Sequence, residues 1–249
     1  MPLIRAHAHN DGKHERPLQD ALTNRFASVE ADVCLRDGEI FVAHDPDDCV
    51  PGKTLAAVYL EPLRARVSKH GGAVIPGHPE FVLLVDVQTE AEETYRAVTP
   101  ILKRYDDILT VWADGGTRPG AVTAIITGER SRAIMASESV RYAAYDGMLD
   151  ELGSETPVSF MPLISDDWTE HFTWTGHGAM PAEDRARLRS YVEAAHGEGR
   201  RIRFWSTPDQ PGAGRDALWR TLLDADVDLI NTDDLDGLRR FLSAWESRA

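Results

Sequence analysis

The sequence predicts an α/β protein, a single-domain (β/α)₈ TIM barrel. Short apolar runs rich in β-branched residues alternate with helical patterns along the chain, and this alternation is typical of parallel strands with helices outside the sheet. About eight such units follow one another, which favours a closed barrel over an open doubly wound sheet. No linker, low-complexity tract or short-period repeat divides residues 1–249, so one domain is expected.

The strands are predicted from short apolar, β-branched runs bounded by polar or turn residues. Phe81–Gln88 is the strongest of them, because its run is almost entirely apolar. In chain order the predicted strands are Leu3–Ala8, Ser28–Leu35 with a hairpin continuation at Glu39–His44, Phe81–Gln88, Ile108–Ala113, Ala121–Thr127, Met161–Ser165, Ile202–Ser206 and Val227–Asn231.

The helices are predicted from 3.6-residue periodicity and from the residues at their ends. Pro17 suits the first turn of the first helix, Gly71 and Gly72 stop the second, and Gly197 lies near the end of the fourth. Residues 166–180 are expected to form a loop rich in aromatic residues and histidine. The predicted helices are Leu18–Phe26, Thr54–His70, Glu90–Lys103, Pro181–His196, Arg215–Leu223 and Leu235–Trp245.

The charge of the chain limits its partners. Forty-one acidic residues against 27 basic ones give a formal net charge of −14. A surface this acidic repels polyanions, so neither nucleic acid nor an anionic membrane is an expected partner. No apolar run approaches the length of a membrane span and no secretory signal is visible, so we expect a cytoplasmic protein without integral membrane association.

The two cysteines, Cys34 and Cys49, are too few for a disulfide scaffold. Two buried or partly buried thiols are the favoured interpretation. A single regulatory or structural bridge is the alternative, because a short loop separates the two residues.

Carboxylates occupy strand positions where apolar residues would be less costly to bury. Glu30 and Asp32 are two residues apart on the second strand and so point to one face, and Asp86 ends the Phe81–Gln88 strand. At the carboxyl end of a barrel three such acids would repel one another without a cation. All-oxygen ligands suit Mg²⁺ or Ca²⁺ better than Zn²⁺. For any one acid alone, a solvated strand end or an arginine partner is the simpler explanation.

Histidines end the strands that lead to this cluster. His7 and His9 end the first strand, and His44 ends the hairpin after the second. Histidine exchanges protons near neutral pH, and phosphoryl transfer needs in-line attack, charge neutralisation and a protonated leaving group. Two histidines and one metal ion would supply all three. The sequence therefore predicts acid–base catalysis by His9 and His44.

Five segments carry motifs in order between about residues 5 and 240. They read AHAHNDGKHERPLQDAL, SVEADVCLRDGEIFVAHDP, LLVDVQT, RFWSTPD and DLINTDD. Together they resemble the PLC-like phosphodiesterase superfamily, above all bacterial relatives of altered inheritance of mitochondria protein 6, and then glycerophosphodiester phosphodiesterases and sphingomyelinase D.

The resemblance implies a (β/α)₈ barrel with one Mg²⁺ or Ca²⁺ ion and two catalytic histidines. By motif, His9 and His44 match the histidines, His9 fitting better than His7 by its spacing to Glu30. Trp205 matches a tryptophan of the substrate pocket and Asp233 a polar residue ending the last strand; Asn231 has the same parity and is expected to face inward too. The matched metal ligands are Glu30, Asp32 and Asp86.

Gln88 is a departure, since relatives often have lysine two residues after the third acid. An amide donates a hydrogen bond to phosphate but does not neutralise it. Either Arg203 or another cation such as Arg16 compensates, or activity on common substrates is weak; Arg203 in a barrel-layer or surface salt bridge is the alternative. Gly12, where relatives tend to have tyrosine, would widen the pocket.

The expected function is cleavage of a glycerophosphodiester-like or lysophospholipid-like substrate, a small molecule or a lipid delivered as a monomer. A lyase that ends at a cyclic phosphate, a non-catalytic phosphodiester-binding barrel and a metal-dependent hydrolase of another class remain as alternatives. Trp168, Phe172 and Trp174 would form an apolar wall for the substrate or, as we favour, ordinary packing at the barrel end.

Overall fold

The computed structural model describes residues 1–247, which form a parallel barrel surrounded by helices. The strands are β1 (Leu3–Ala8), β2 (Phe26–Arg36), β3 (Glu39–Val42), β4 (Phe81–Val87), β5 (Val111–Ala113), β6 (Gly116–Arg118), β7 (Val122–Gly128), β8 (Val140–Arg141), β9 (Ala144–Gly147), β10 (Leu163–Asp167), β11 (Arg201–Trp205) and β12 (Leu229–Thr232). The helices are α1 (Gln19–Thr23), α2 (Glu61–Lys69), α3 (Ala91–Lys103), α4 (Arg132–Ser137), α5 (Trp168–His171), α6 (Ala182–Gly197), α7 (Ala213–Asp224) and α8 (Leu235–Glu246).

The barrel is closed by eight parallel strands. Their order around the barrel is β1, β2, β4, β7, β9, β10, β11 and β12, and β1 pairs with both β2 and β12. β3 is antiparallel to β2 and forms the predicted hairpin. The predicted (β/α)₈ class is therefore confirmed.

One predicted strand meets the barrel only at its start, and one barrel strand was missed. Leu109 forms a parallel bridge with Val122 of β7. The segment Ile108–Ala113 yields only β5, which pairs with β6 and β8 in a small antiparallel sheet. Its place in the barrel is taken by β9, between β7 and β10. β9 is four residues long and contains an aspartate and a glycine, so it lacks the apolar run that marks the other strands.

The barrel interior is built in two layers. Apolar residues that point inward fill the lower part: Val82, Leu84, Ile125, Ala144, Leu163 and Leu229, together with Trp112 from β5. Inward residues follow at every second position along a strand. Two residues nearer the carboxyl ends of these strands the inward positions become polar, and they are Asp86, Thr127, Asp146, Ser165 and Asn231. The apolar layer thus forms the floor of a polar site at the carboxyl end.

The aromatic segment after β10 packs against the protein rather than forming a substrate wall. Trp168 and Phe172 are buried, with ring centroids 4.2 Å apart, and Trp168 also contacts Phe204 edge-on. The favoured interpretation of this segment as packing agrees with these contacts. Within residues 1–247, no helix combines the length and apolar character needed to cross a bilayer.

Both cysteines are free thiols. Cys34 is buried on β2 and donates a hydrogen bond to the carbonyl oxygen of Ala43 at 3.3 Å, while Cys49 is half-buried. Burial raises the pKa of the Cys34 thiol to about 12, so this thiol is a poor nucleophile.

Candidate active site

The carboxyl ends of the barrel strands surround a cavity of about 610 Å³. Six of the eight barrel strands contribute lining residues themselves, and the loops that follow β1, β3, β4, β7, β9 and β11 contribute the rest. This volume lies within the range of small-molecule sites, and the carboxyl end is where barrel enzymes place their chemistry. The lining includes His9, Lys13, Glu30, Asp32, His44, Asp86, Gln88, Arg130, Asp146, Met148, Arg203 and Trp205.

Three carboxylates meet in this cavity. Glu30, Asp32 and Asp86 each offer an oxygen, and these oxygens lie within 4.8 Å of one another. The register of the barrel explains the meeting, because Asp32 on β2 pairs with Asp86 on β4, and Glu30 precedes Asp32 on the same face. Asp86 Oδ1 is buried without a hydrogen-bond partner. Oxygen ligands in this number and spacing fit a hard divalent cation such as Mg²⁺ or Ca²⁺.

The acids of the cluster carry opposing pKa shifts. Burial, and then the charges of Glu30 and Asp32, raise the pKa of Asp86 to about 7. Burial and the charge of Glu30 raise the pKa of Asp32 to about 6. Burial also acts against the charge on Glu30, but Arg203, whose Nη2 lies 2.7 Å from Glu30 Oε2, holds the pKa of Glu30 well below its usual range. The pKa values of Asp32 and Asp86 are raised because ionised carboxylates that are buried close together repel one another. A bound cation would relieve this repulsion.

His9 is positioned by Asp233. Its Nδ1 lies 2.7 Å from Asp233 Oδ1, and because an ionised carboxylate only accepts, the proton is on Nδ1. The other nitrogen, Nε2, faces the cavity 3.5 Å from Glu30 Oε1. Burial alone would lower the pKa of His9, but the hydrogen bond to Asp233 and the charge of Glu30 outweigh it and raise that pKa. His9 is therefore arranged as a base with Nε2 available.

His7 occupies a different environment on the same strand. It is fully buried, with Nδ1 2.7 Å from Ser28 Oγ and Nε2 3.2 Å from Arg203 Nη1. Burial, and then the charge of Arg203, lower the pKa of His7 to about 4. A neutral imidazole that is bonded on both sides holds its neighbours in place, and the preference for His9 over His7 agrees with this geometry.

His44 lines the same cavity as His9. It follows β3, is exposed, and lines the cavity. The hairpin brings it there, because the amide of Ala43 donates to the carbonyl oxygen of Asp32 at 3.0 Å. The two predicted catalytic histidines are thus in one cavity with the three acids.

The predicted substrate-binding residues divide into two groups. Gln88 and Trp205 line the cavity; Gln88 Nε2 lies 3.5 Å from Asp32 Oδ1, and Trp205 is 38% exposed. Arg203 reaches the cavity but is buried and paired with Glu30, as the barrel-layer alternative expected. Asn231 is buried, and Asp233 contacts His9. Neither is among the residues that line the cavity.

Two further predictions do not match the structure. Arg16 is outside the cavity, where its guanidinium is paired with Asp20 at 2.6 Å on the surface. Gly12 is buried rather than at the cavity wall, and a Cβ there would lie 2.8 Å from Val42 Cγ1. The small residue at position 12 thus accommodates β3 and does not widen the pocket.

The wall formed by β7 and β9 was not predicted from the sequence. Asp146 is fully buried in the inward polar layer and accepts a hydrogen bond from Thr127 Oγ1 at 2.8 Å. Arg130 and Met148 follow the ends of these strands and line the cavity. An isolated aspartate between an aromatic residue and a glycine was the available signal, and it was weak because eight other segments already accounted for the barrel strands.

Comparison with known proteins agrees with this arrangement. Residues 1–146, which include both histidines and all three acids, match the model of the AIM6-like phosphodiesterase domain. The chain belongs to the AIM6-like phosphodiesterase domain family. Residues 201–236 of this AIM6-like domain also match the glycerophosphoryl diester phosphodiesterase family.

Curated relatives extend the likeness over nearly the whole AIM6-like chain. Altered inheritance of mitochondria protein 6 homolog from Arthroderma benhamiae is 27% identical, covering 96% of this chain and 83% of the relative. Altered inheritance of mitochondria protein 6 from Eremothecium gossypii is 29% identical, covering 96% and 69%. Phosphatidylinositol-specific phospholipase C from Listeria monocytogenes shares the fold, with a TM-score of 0.53, 9% identity and coverage of 97% and 92%.

Proposed function

We propose that this AIM6-like domain is a divalent-metal-dependent phosphodiesterase that cleaves glycerophosphodiester-like or lysophospholipid-like substrates. The observation that carries the proposal is the meeting of Glu30, Asp32 and Asp86 in one cavity that also contains His9 and His44. A cluster for a cation together with two flanking proton-transfer groups is what phosphodiester cleavage requires.

The three carboxylates are the residues that would hold Mg²⁺ or Ca²⁺. The unpartnered Asp86 Oδ1 and the all-oxygen donor set support that choice. When bound, the cation supplies charge neutralisation to a non-bridging phosphate oxygen. Arg203 keeps Glu30 ionised and His7 fixes Arg203 from the other side, so this pair preserves the ligand set.

The two histidines divide the proton transfers. His9 Nε2 takes a proton from the attacking hydroxyl, either of water or of a neighbouring group on the substrate, while Asp233 stabilises the imidazolium that forms. The attacking oxygen bonds to phosphorus as the bond to the leaving oxygen breaks. His44 donates a proton to the leaving alkoxide. Attack by water yields a phosphomonoester, and attack by a substrate hydroxyl yields a cyclic phosphate.

Phosphorus NMR of the products tests the proposal. Wild-type protein with Mg²⁺ or Ca²⁺ would be incubated with glycerophosphocholine, glycerophosphoethanolamine and lysophosphatidylcholine below its micellar concentration. We expect a new monoester or cyclic resonance that disappears with chelator. His9→Ala and His44→Ala should each lower kcat by about 10²–10⁴-fold. His78→Ala is the matched control, because His78 lines a separate cavity with residues at the amino ends of the barrel strands.

The outcomes separate the alternatives. A persistent cyclic ester identifies a phosphodiester lyase and excludes simple hydrolysis. Binding without turnover across the panel would favour the non-catalytic barrel. Turnover that persists in His9→Ala, or in excess chelator, would contradict the proposed roles of the histidine and the metal.

A further inference from the structure

The cations first expected to neutralise the substrate phosphate already have partners in the protein. Gln88 provides only an amide, and Arg203 is already paired with Glu30 at 2.7 Å. Lys13 lines the cavity on the His9 side, but it is exposed and its Nζ donates to Asn10 Oδ1 at 2.7 Å. The two compensating residues expected from the sequence, Arg203 and Arg16, are therefore both engaged elsewhere.

Arg130 is the arginine of the cavity that differs from these. It follows β7, where its Nη1 donates to the carbonyl oxygen of Gly128 at 2.9 Å and its guanidinium lies 5.2 Å from the centre of the Tyr145 ring. Its Nε is buried without a hydrogen-bond partner. Among residues 1–247, Arg130 makes no ion pair within 4.0 Å, so its position is fixed while most of its donors stay available.

The position of Arg130 is next to the end of β4. In the register of the two strands, Val87 pairs with Gly128, so Gln88 and Arg130 leave neighbouring strand ends. Gly128 also borders the metal cluster, because a Cβ on it would lie 2.0 Å from Asp86 Oδ1. The residue that anchors the guanidinium of Arg130 is thus in contact with the third acid.

We infer that Arg130 binds the non-bridging oxygens of the substrate phosphate and supplies the positive charge that Gln88 does not. A guanidinium offers paired N–H groups that match two phosphate oxygens, whereas the Gln88 amide adds one uncharged donor. The identity of the ester in this inference rests on the proposed function. The placement of the positive charge depends only on the position of Arg130. Arg130 would place the positive charge after β7, whereas relatives often have lysine at the position of Gln88, after β4.

Charge balance supports this assignment. Three ionised carboxylates are opposed by a divalent cation and by Arg203, so the charge of the anionic ester is left to another cation of the cavity lining, Lys13 or Arg130. Asp146 competes for Arg130, because the charge of Arg130 acts on its buried carboxyl group, of which Oδ2 accepts from Thr127 and Oδ1 has no partner. A structural role for Arg130 in balancing Asp146 would make the protein less stable when Arg130 is replaced, and would leave anion binding unchanged.

Binding of inorganic phosphate tests the inference independently of turnover. The dissociation constant would be measured on the full chain with saturating Mg²⁺, from phosphorus NMR line broadening. Arg130→Gln should raise it about tenfold, the value of one charged hydrogen bond. The dissociation constant of Arg130→Lys should fall between those of wild type and Arg130→Gln. Adding Gln88→Lys to Arg130→Gln should recover most of the phosphate affinity. Arg96→Gln, on the outer face of α3 and largely exposed, is the matched control.

The outcomes are distinct. Unchanged phosphate affinity in Arg130→Gln, or no measurable phosphate binding to the Mg²⁺-loaded wild type, overturns the inference even if diesters are cleaved. An Arg130-dependent affinity in a protein that cleaves no diester leaves the inference standing and removes the proposed function. If Arg130→Gln does not fold, Arg130→Lys provides the test. Phosphate affinity and thermal stability equal to those of wild type would contradict a contact in which two guanidinium N–H groups bind two phosphate oxygens.

Discussion

At the scale of single residues, the site depends on which neighbour each titratable group contacts. His7 and His9 are two positions apart on β1, yet one is buried with a pKa of about 4 and the other faces the cavity with a raised pKa. The sequence predicted the pair but identified the reactive member only through spacing to Glu30. What the sequence lacks is the partner of each ring, because Ser28 is on β2 and Asp233 follows β12, both distant from β1 along the chain.

Asp233 should act through His9. We expect Asp233→Asn to lower kcat by about 10²-fold with a small change in KM, because the amide no longer stabilises the imidazolium and can turn the ring. Steady-state kinetics on the diester found in the NMR panel would measure this, with Asp224→Asn on α7 as the exposed control. A change confined to KM would assign Asp233 to substrate binding instead.

Asp11 should make stability depend on pH. It is fully buried, and Oδ2 accepts from the Leu18 amide at 2.6 Å and from the Tyr59 hydroxyl at 2.8 Å. Burial raises its pKa from 3.8 to about 6. The folded state therefore binds a proton that the unfolded state has released, and stability falls as pH rises from about 4 to about 6.

The variant Asp11→Asn should lack this dependence. The difference in unfolding free energy between wild type and variant should change by on the order of 2 kcal/mol across that range, in favour of the wild type at the acidic end. Urea unfolding at a series of pH values, in chelator, would measure it. Parallel curves for the two proteins would show that Asp11 does not titrate in this way.

At the scale of elements, strand ends and their register place the site. Parallel pairing of β2 with β4 puts Asp32 beside Asp86, and the β2–β3 hairpin brings His44 to the same acids. These features were predictable, because the alternation of side chains along a strand and the order of the strands can be inferred from the sequence. The wall formed by β7 and β9 was not, since β9 is short and its inward Asp146 carries no motif.

Gly128 is a strand-end position where an added side chain would disturb the candidate site. It has a left-handed φ of +69°, and a Cβ would lie 2.0 Å from Asp86 Oδ1 and 2.5 Å from the Val87 carbonyl oxygen. Gly128→Ala should therefore cost about 3 kcal/mol of stability and weaken Mg²⁺ binding.

Gly153→Ala is the matched control for that substitution. Gly153 has a similar φ of +81° but no atom within 4 Å of the added Cβ, so only about 1 kcal/mol of backbone strain is expected, with Mg²⁺ affinity unchanged. Urea unfolding and Mg²⁺ titration calorimetry would compare the two. Equal losses in both variants would mean that contact with Asp86 has no part in the effect.

At the scale of the whole molecule, the barrel places its packed apolar core and its candidate site in different layers. An apolar layer containing Leu84 and Ile125 forms the floor, and the polar layer two residues above it forms the site. The fold class and this polar end could be predicted from alternating elements and strand-end acids. The identity of the eighth strand could not, because Ile108–Ala113 carries a stronger strand signal than Ala144–Gly147. It nevertheless meets the barrel only through the Leu109–Val122 bridge and otherwise pairs with the small outer sheet.

The central claim is that one divalent cation binds between Glu30, Asp32 and Asp86, flanked by two histidines. Anomalous diffraction from crystals grown with Mn²⁺ measures this directly. We predict one strong peak within bonding distance of all three carboxylates, with His9 and His44 on either side, and its loss in Asp86→Asn. A peak at another position, or none at this one with Mn²⁺ in excess, would contradict the account.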